Sequence, residues 1–243
     1  MDLQQQQQQV VIDVSKQQPE LKASVEQLTK LLQIIEEKII PKTKIGIGKG
    51  NKVFGAALLD KDWNFILAET NDELKNPLFH GEINLINEWA KRTSGCDRGK
   101  VAQEAIFLST HEPCCMCISS IVWAGFTKVF YLFPYQVTSD QGIPHDIQTM
   151  HELWGVPSYR KSNRYCATAC LIDLIHTLDD DGDDDDHGGD KSDSIGKEER
   201  EGRKMKKLEL TQTIERLTNI YNSLSDTYHK DKISNPNNSL VLG

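Results

Sequence analysis

His80-Gly81-Glu82 and, further along, Pro113-Cys114-Cys115-Met116-Cys117 are the two stretches around which this chain is organised. Together they spell His-x-Glu followed by Pro-Cys-x-x-Cys. One imidazole and two thiolates give a zinc ion three ligands of the softness it prefers, and a catalytic zinc keeps its fourth position for water. Cys114 and Cys117 stand three apart directly after Pro113, a residue well tolerated at a helix start, so both sulfurs lie on one helical face. A helix N-terminus also favours thiolates, the form a metal requires. Cys115 points elsewhere and reads as a small packing residue. His80 opens a second stretch of helical character, with Ile83, Leu85, Ile86, Trp89 and Ala90 as its apolar residues.

Glu82 separates an enzyme from a structural zinc domain. A carboxylate beside the metal can take a proton from an attacking water and pass it to a ring nitrogen and then to a departing amine, which is hydrolytic deamination. Two plainer readings compete. A Cys-x-x-Cys can be a redox pair, although such pairs have no partnered His-x-Glu upstream. A closed structural zinc site would need a fourth ligand, for which Cys115, His111 or Cys96 can be nominated. The joint match of residue types and spacing favours the open site.

With 243 residues, the chain can hold one domain of ordinary size plus tails. Hydrophobic residues make up only 38 %, and the deficit is local: a glutamine tract at residues 4–9, an acidic run at 179–193 and a polar end at 235–239. Disorder is expected there. The acidic run holds nine Asp and one Lys, which accounts for the whole net charge of -8. The rest of the chain therefore sums to zero and shows no overall basic excess of the kind that grips long nucleic acids. No secretory signal or membrane span is visible. Six cysteines, three of them inside the metal motif, suit a reducing compartment, so cytoplasm is expected, with the nucleus as an alternative.

Leu21, Val25, Leu28, Leu32, Ile35 and Ile39 recur at helical steps, and Pro41 is expected to end that helix. Residues 53–59 and 64–69 read as a hairpin turning at Asp60-Lys61-Asp62. Gly46, Gly48 and Gly50 read as a flexible approach to it. Asn71 falls where the second strand should end; its amide suits a base or ribose edge, and it is equally a turn former. A helix over 80–92, a strand over 105–110, a helix from Pro113 to about 125 and a strand over 128–133 then build parallel pairs with helices on the faces. Ligands of such sheets sit at the carboxyl ends of strands, where Glu112-Pro113-Cys114 lies. Residues 134–164 read as loop-rich with one helical stretch at 147–154, and Tyr135, Trp154 and Tyr159 as either stacking partners or satellite core. A last domain helix carries Cys170, Leu171, Leu174, Ile175 and Leu178 on one face; Cys166 and Cys170 read as buried small residues. Beyond the acidic run, Leu210, Ile214, Leu217, Tyr221, Leu224 and Tyr228 repeat at helical spacing, a helix that docks on the domain or on a second chain. Arg203-Lys204 and Lys206-Lys207 precede it as a solvated start, with an RNA contact or nuclear address as the alternative.

In this order of elements the chain resembles the cytidine deaminase-like superfamily, nearest the branch of guanine deaminase, fungal-type cytosine deaminase and tRNA adenosine deaminase. Phe54-Gly55-Ala56, His80-Gly81-Glu82, the run from Glu112 to Cys117 and Ile121-Val122-Trp123-Ala124 carry the resemblance, which covers about residues 20–178. It implies a three-layer α/β/α sandwich around a mixed, roughly five-stranded sheet. It also implies Zn2+ held by His80, Cys114 and Cys117, Glu82 as proton shuttle and Asn71 at the substrate. The expected organisation is a disordered N-terminus (1–18), a zinc deaminase domain (19–178), an acidic disordered linker (179–196), an amphipathic helix (197–230) and a disordered tail (231–243). The implied activity is removal of ammonia from a nucleobase or nucleoside, guanine- or cytosine-type, by a homodimer. The alternatives are a tRNA adenosine-to-inosine deaminase and a non-catalytic zinc-binding partner subunit, though such subunits typically lack the glutamate.

Overall fold

The hairpin forms where Asp60-Lys61-Asp62 predicts it: Gly55–Leu59 (β1) pairs antiparallel with Phe65–Thr70 (β2). A computed structural model describes residues 17–178 and 193–234. The glutamine tract, most of the acidic run and the polar end lie outside the described residues. Ile106–His111 (β3), Lys128–Phe133 (β4) and Ala167–Cys170 (β5) run parallel to one another, while β1 is antiparallel to β3. The sheet order is β2-β1-β3-β4-β5. Every residue of β1 and β3 is buried, as strands covered on both faces must be.

Alternation along the strands sorts the two layers of helices. Leu59, Leu108 and Phe130 face Val25–Ile34 (α1), Ile40–Ile47 (α2), Leu171–His176 (α8) and Asp193–Ser234 (α9). Leu58, Phe107 and Val129 face Gly81–Arg92 (α3), Arg98–Glu104 (α4) and Cys115–Trp123 (α5). The fold is a three-layer α/β/α sandwich. The C-terminal stripe docks on this same domain: Leu210, Leu217, Tyr221 and Tyr228 are buried, and Arg216 grips Glu36 through two hydrogen bonds of 3.0 and 2.8 Å. Of the basic residues that precede the stripe, Lys206 pairs with Glu26 at 3.4 Å and Lys207 donates to the His176 carbonyl at 2.7 Å. Among the described residues no helix is long and apolar enough to cross a membrane.

Several local expectations are corrected. Pro41 does not end the first helix. A π-helical turn at Ile35–Ile39 resets the hydrogen-bond ladder, and Pro41 falls in the first turn of α2, where a missing N–H costs little. The glycine run is not a flexible approach. Gly46 is buried inside α2, Gly48 caps it, and Gly50 takes the left-handed φ of 97° that turns the chain toward β1. Residues 134–164 hold two helices, Tyr135–Asp140 (α6) and His145–Trp154 (α7). Cys170 ends a strand and precedes α8, so it does not belong to a helical face.

Candidate metal centre

The metal motif is assembled by two helix starts at the carboxyl end of β3. His80 is the N-cap of α3 and Cys114 the N-cap of α5. Past His111 the ladder continues for one bond, Glu112 N to Phe133 O at 2.8 Å, which delivers Pro113 and Cys114 to the mouth of the sheet. Gly81 sets the other side. A Cβ there would lie 2.7 Å from Gly55 Cα, so the first residue of α3 rests directly on the first residue of β1. Gly81→Ala is therefore expected to push α3 off the sheet and cost about 1–3 kcal/mol. Chemical denaturation would measure it, and an unchanged midpoint would refute the contact.

His80 Nδ1 lies 3.7 Å from Cys114 Sγ and 3.7 Å from Cys117 Sγ. The three ligand atoms all fall within 4.8 Å of one another. A tetrahedral ion with bonds of about 2.3 Å to sulfur and 2.0–2.1 Å to nitrogen spans an N···S edge of roughly 3.6 Å. The residues present thus fit zinc in both chemistry and spacing. The candidates for a closing fourth ligand point away. Cys96 is exposed, Cys115 meets Thr149 at 3.6 Å, and His111 is bonded to Thr110 and Gln141.

The charges within the group are shared. The Cys117 thiol and the His80 ring hold Cys114 well below the usual thiol range. Burial, together with the charge on Cys114, pushes Cys117 up. Burial works against a charge on His80, but the bonded Cys114 sulfur and the Glu73 carboxylate outweigh it and raise its pKa to about 9. Zinc requires both sulfurs as thiolates and a neutral imidazole, so its uptake releases the protons this group still carries.

Glu82, also buried, stands beside the group. Ser109 Oγ donates to Glu82 Oε1 at 2.9 Å, and Cys117 Sγ lies 3.4 Å from Oε2. Burial, followed by the charge on Cys114, raises its pKa. Asn71 Oδ1 accepts from Gly81 N at 2.6 Å, fastening the N-terminus of α3, while its buried Nδ2 has no hydrogen-bond partner.

Tyr135 and Tyr159 belong to a small cluster with Cys115 and Met150, whereas Trp154 is exposed. Tyr135 Oη donates to Pro113 O at 2.5 Å. Lys161 pairs with buried Glu112 and sits 4.5 Å from the Tyr159 ring centroid. The loop-rich segment thus clamps the motif loop. Sequence reasoning missed Ser109 and Lys161, and gave Glu112 a place but no partner. Ser109 alone left a signal, a hydroxyl in the strand directly after the apolar run Ile106-Phe107-Leu108.

Residues 35–133 match the family described as the cytidine and deoxycytidylate deaminase zinc-binding region. The chain is similar to the tRNA-specific adenosine deaminase subunit tad3 of Schizosaccharomyces pombe, with 32% identity over 87 residues, 31% of this chain and 28% of that protein. It spans under a third of that relative's length. Similar solved structures include a guanine deaminase from Nitrosomonas europaea, at TM-score 0.43 and 15% identity over 65% of this chain and 82% of that one. Another is a guanine deaminase from Bacillus subtilis, at TM-score 0.42 and 22% identity over 54% of this chain and 83% of that one.

Proposed function

We propose that the chain, whose residues 35–133 match the cytidine and deoxycytidylate deaminase zinc-binding region, is a member of the cytidine deaminase-like superfamily and hydrolyses the exocyclic amine of a nucleobase or nucleoside. His80 Nδ1, Cys114 Sγ and Cys117 Sγ hold the zinc. When bound, the ion acts as a Lewis acid that makes water a competent nucleophile near neutral pH. Glu82 Oε2 accepts one proton from the attacking water and delivers it to the ring nitrogen of the base as the C–O bond forms, then carries the second proton, from the hydroxyl now on that carbon, to the amine as the C–N bond breaks; the carbon is left as a carbonyl and the amine leaves as ammonia. Ser109 holds Oε1 so that Oε2 stays turned toward the reacting centre. Asn71 Nδ2 donates to an acceptor on the base or ribose edge.

The observation that carries this reading is Glu82 itself, buried, with one oxygen fastened by Ser109 and the other beside Cys117. A metal centre that served folding alone would have no use for an acid so placed. The preferred substrates are small guanine- or cytosine-type compounds, acted on by a homodimer in the cytosol or nucleus. The similarity to a tRNA-specific adenosine deaminase subunit supports a second reading, in which an adenosine of tRNA is the substrate. Ammonia release from zinc-loaded protein, measured on guanine, cytosine, adenine, their nucleosides and a tRNA anticodon stem-loop, separates the two. Turnover of a free base or nucleoside is the expected result. Turnover confined to the stem-loop would transfer the assignment to RNA, and silence on the whole panel would leave a non-catalytic zinc subunit.

A further inference from the structure

Lys52 and Glu73 are 5 % and 3 % exposed, a degree of burial that charged side chains almost never reach unpaired. They belong to no motif, and 21 positions separate them. Glu73 Oε1 accepts from Lys52 Nζ at 2.9 Å, and Oε2 accepts from the Lys52 backbone N–H at 3.1 Å. Asn51 Oδ1 takes the next amide, Leu74 N, at 3.1 Å. The segment after α2 therefore grips the loop that leads to His80 at two successive residues.

A buried ion pair contributes little to stability by itself, because desolvation offsets its attraction. Here a third group faces it. His80 Nε2 lies 3.7 Å from the same Glu73 Oε1, while Nδ1 of that ring faces the two sulfurs. The imidazole is thus bracketed, thiols on one nitrogen and a carboxylate on the other. A carboxylate in that place favours the tautomer with its proton on Nε2, leaves the Nδ1 lone pair free for a metal, and opposes a flipped ring.

We propose that Glu73, anchored by Lys52, is a positioning residue of the metal centre that orients His80 for zinc. The inference rests on His80 being a zinc ligand. Carboxylates behind metal-bound histidines are worth about 10- to 100-fold in metal affinity, and that is the effect expected here.

The test measures zinc affinity by chelator competition, together with the visible spectrum of the Co2+-substituted protein. Three variants are compared with wild type: Glu73→Gln, the pair Lys52→Met with Glu73→Gln, and His80→Ala. Glu73→Gln is expected to bind zinc about 10- to 100-fold more weakly and to shift the cobalt bands. The double variant, which leaves no unpaired buried charge and so keeps the fold, is expected to show the same loss. Affinity within twofold of wild type in Glu73→Gln, with an unchanged cobalt spectrum, would overturn the proposal. So would recovery of wild-type affinity in the double variant, since Glu73 would then serve only as counter-ion to Lys52. Stoichiometric zinc retained by His80→Ala would instead sink the reading of the centre on which the inference stands.

Discussion

Glu82→Gln is expected to keep stoichiometric zinc while ammonia release on the best substrate falls by about 100- to 10,000-fold, the usual worth of a positioned general acid and base. The amide preserves the size of the side chain and can still accept from Ser109 Oγ, which now lies 2.9 Å from Oε1. What it cannot do is take a proton. Because Glu82 is not one of the three grouped ligand residues, metal content and melting temperature should hardly move. The informative measurement is zinc by atomic absorption beside single-turnover ammonia release on the same sample. Activity within a few-fold of wild type would eliminate Glu82 as the proton carrier and with it the proposed reaction.

Cys114→Ala should have the largest effect on the molecule itself. Two ligands on helix starts do not hold zinc as three do, so the variant is expected to lose stoichiometric metal. Zinc that binds only the folded chain stabilises it by about 4 kcal/mol when free metal stands a thousandfold above Kd. For a chain of this size that corresponds to a melting temperature roughly 10 °C higher than in chelator. Wild type should show that shift, and Cys114→Ala should melt alike with zinc or with chelator. The variant is expected to remain folded, unlike a zinc finger, because two large apolar clusters flank the sheet independently of the metal. A variant that still carried one equivalent of zinc would show that Cys114 is not a ligand.

The metal group was legible because its information is local. Cys114 and Cys117 share a helical face by their spacing alone, and His80 and Glu82 stand at the start of a helix whose apolar residues announce it. The same holds for the hairpin and for the stripe of α9. Where local signal was weak, the reading failed. α4 carries few apolar residues in Arg98–Glu104, and β5 is only Ala167–Cys170, too short to show a period. Pro41 misled for a different reason: a proline's cost depends on the ladder around it, and the π turn that admits it at Ile35–Ile39 has no sequence mark.

By itself the sequence singled out His80, Cys114, Cys117 and Glu82, through residue type at short spacing, and its resemblance to a known superfamily supplied the kind of fold. Tertiary structure alone decided the rest. It chose which surface α9 covers, seating Tyr221 against His111 and Phe133. It also brought Ser109 to Glu82 and Lys52 and Glu73 behind His80. Most of those contacts join residues that stand 20 or more positions apart along the chain, and no periodicity in a sequence records which distant segments the core will bring together.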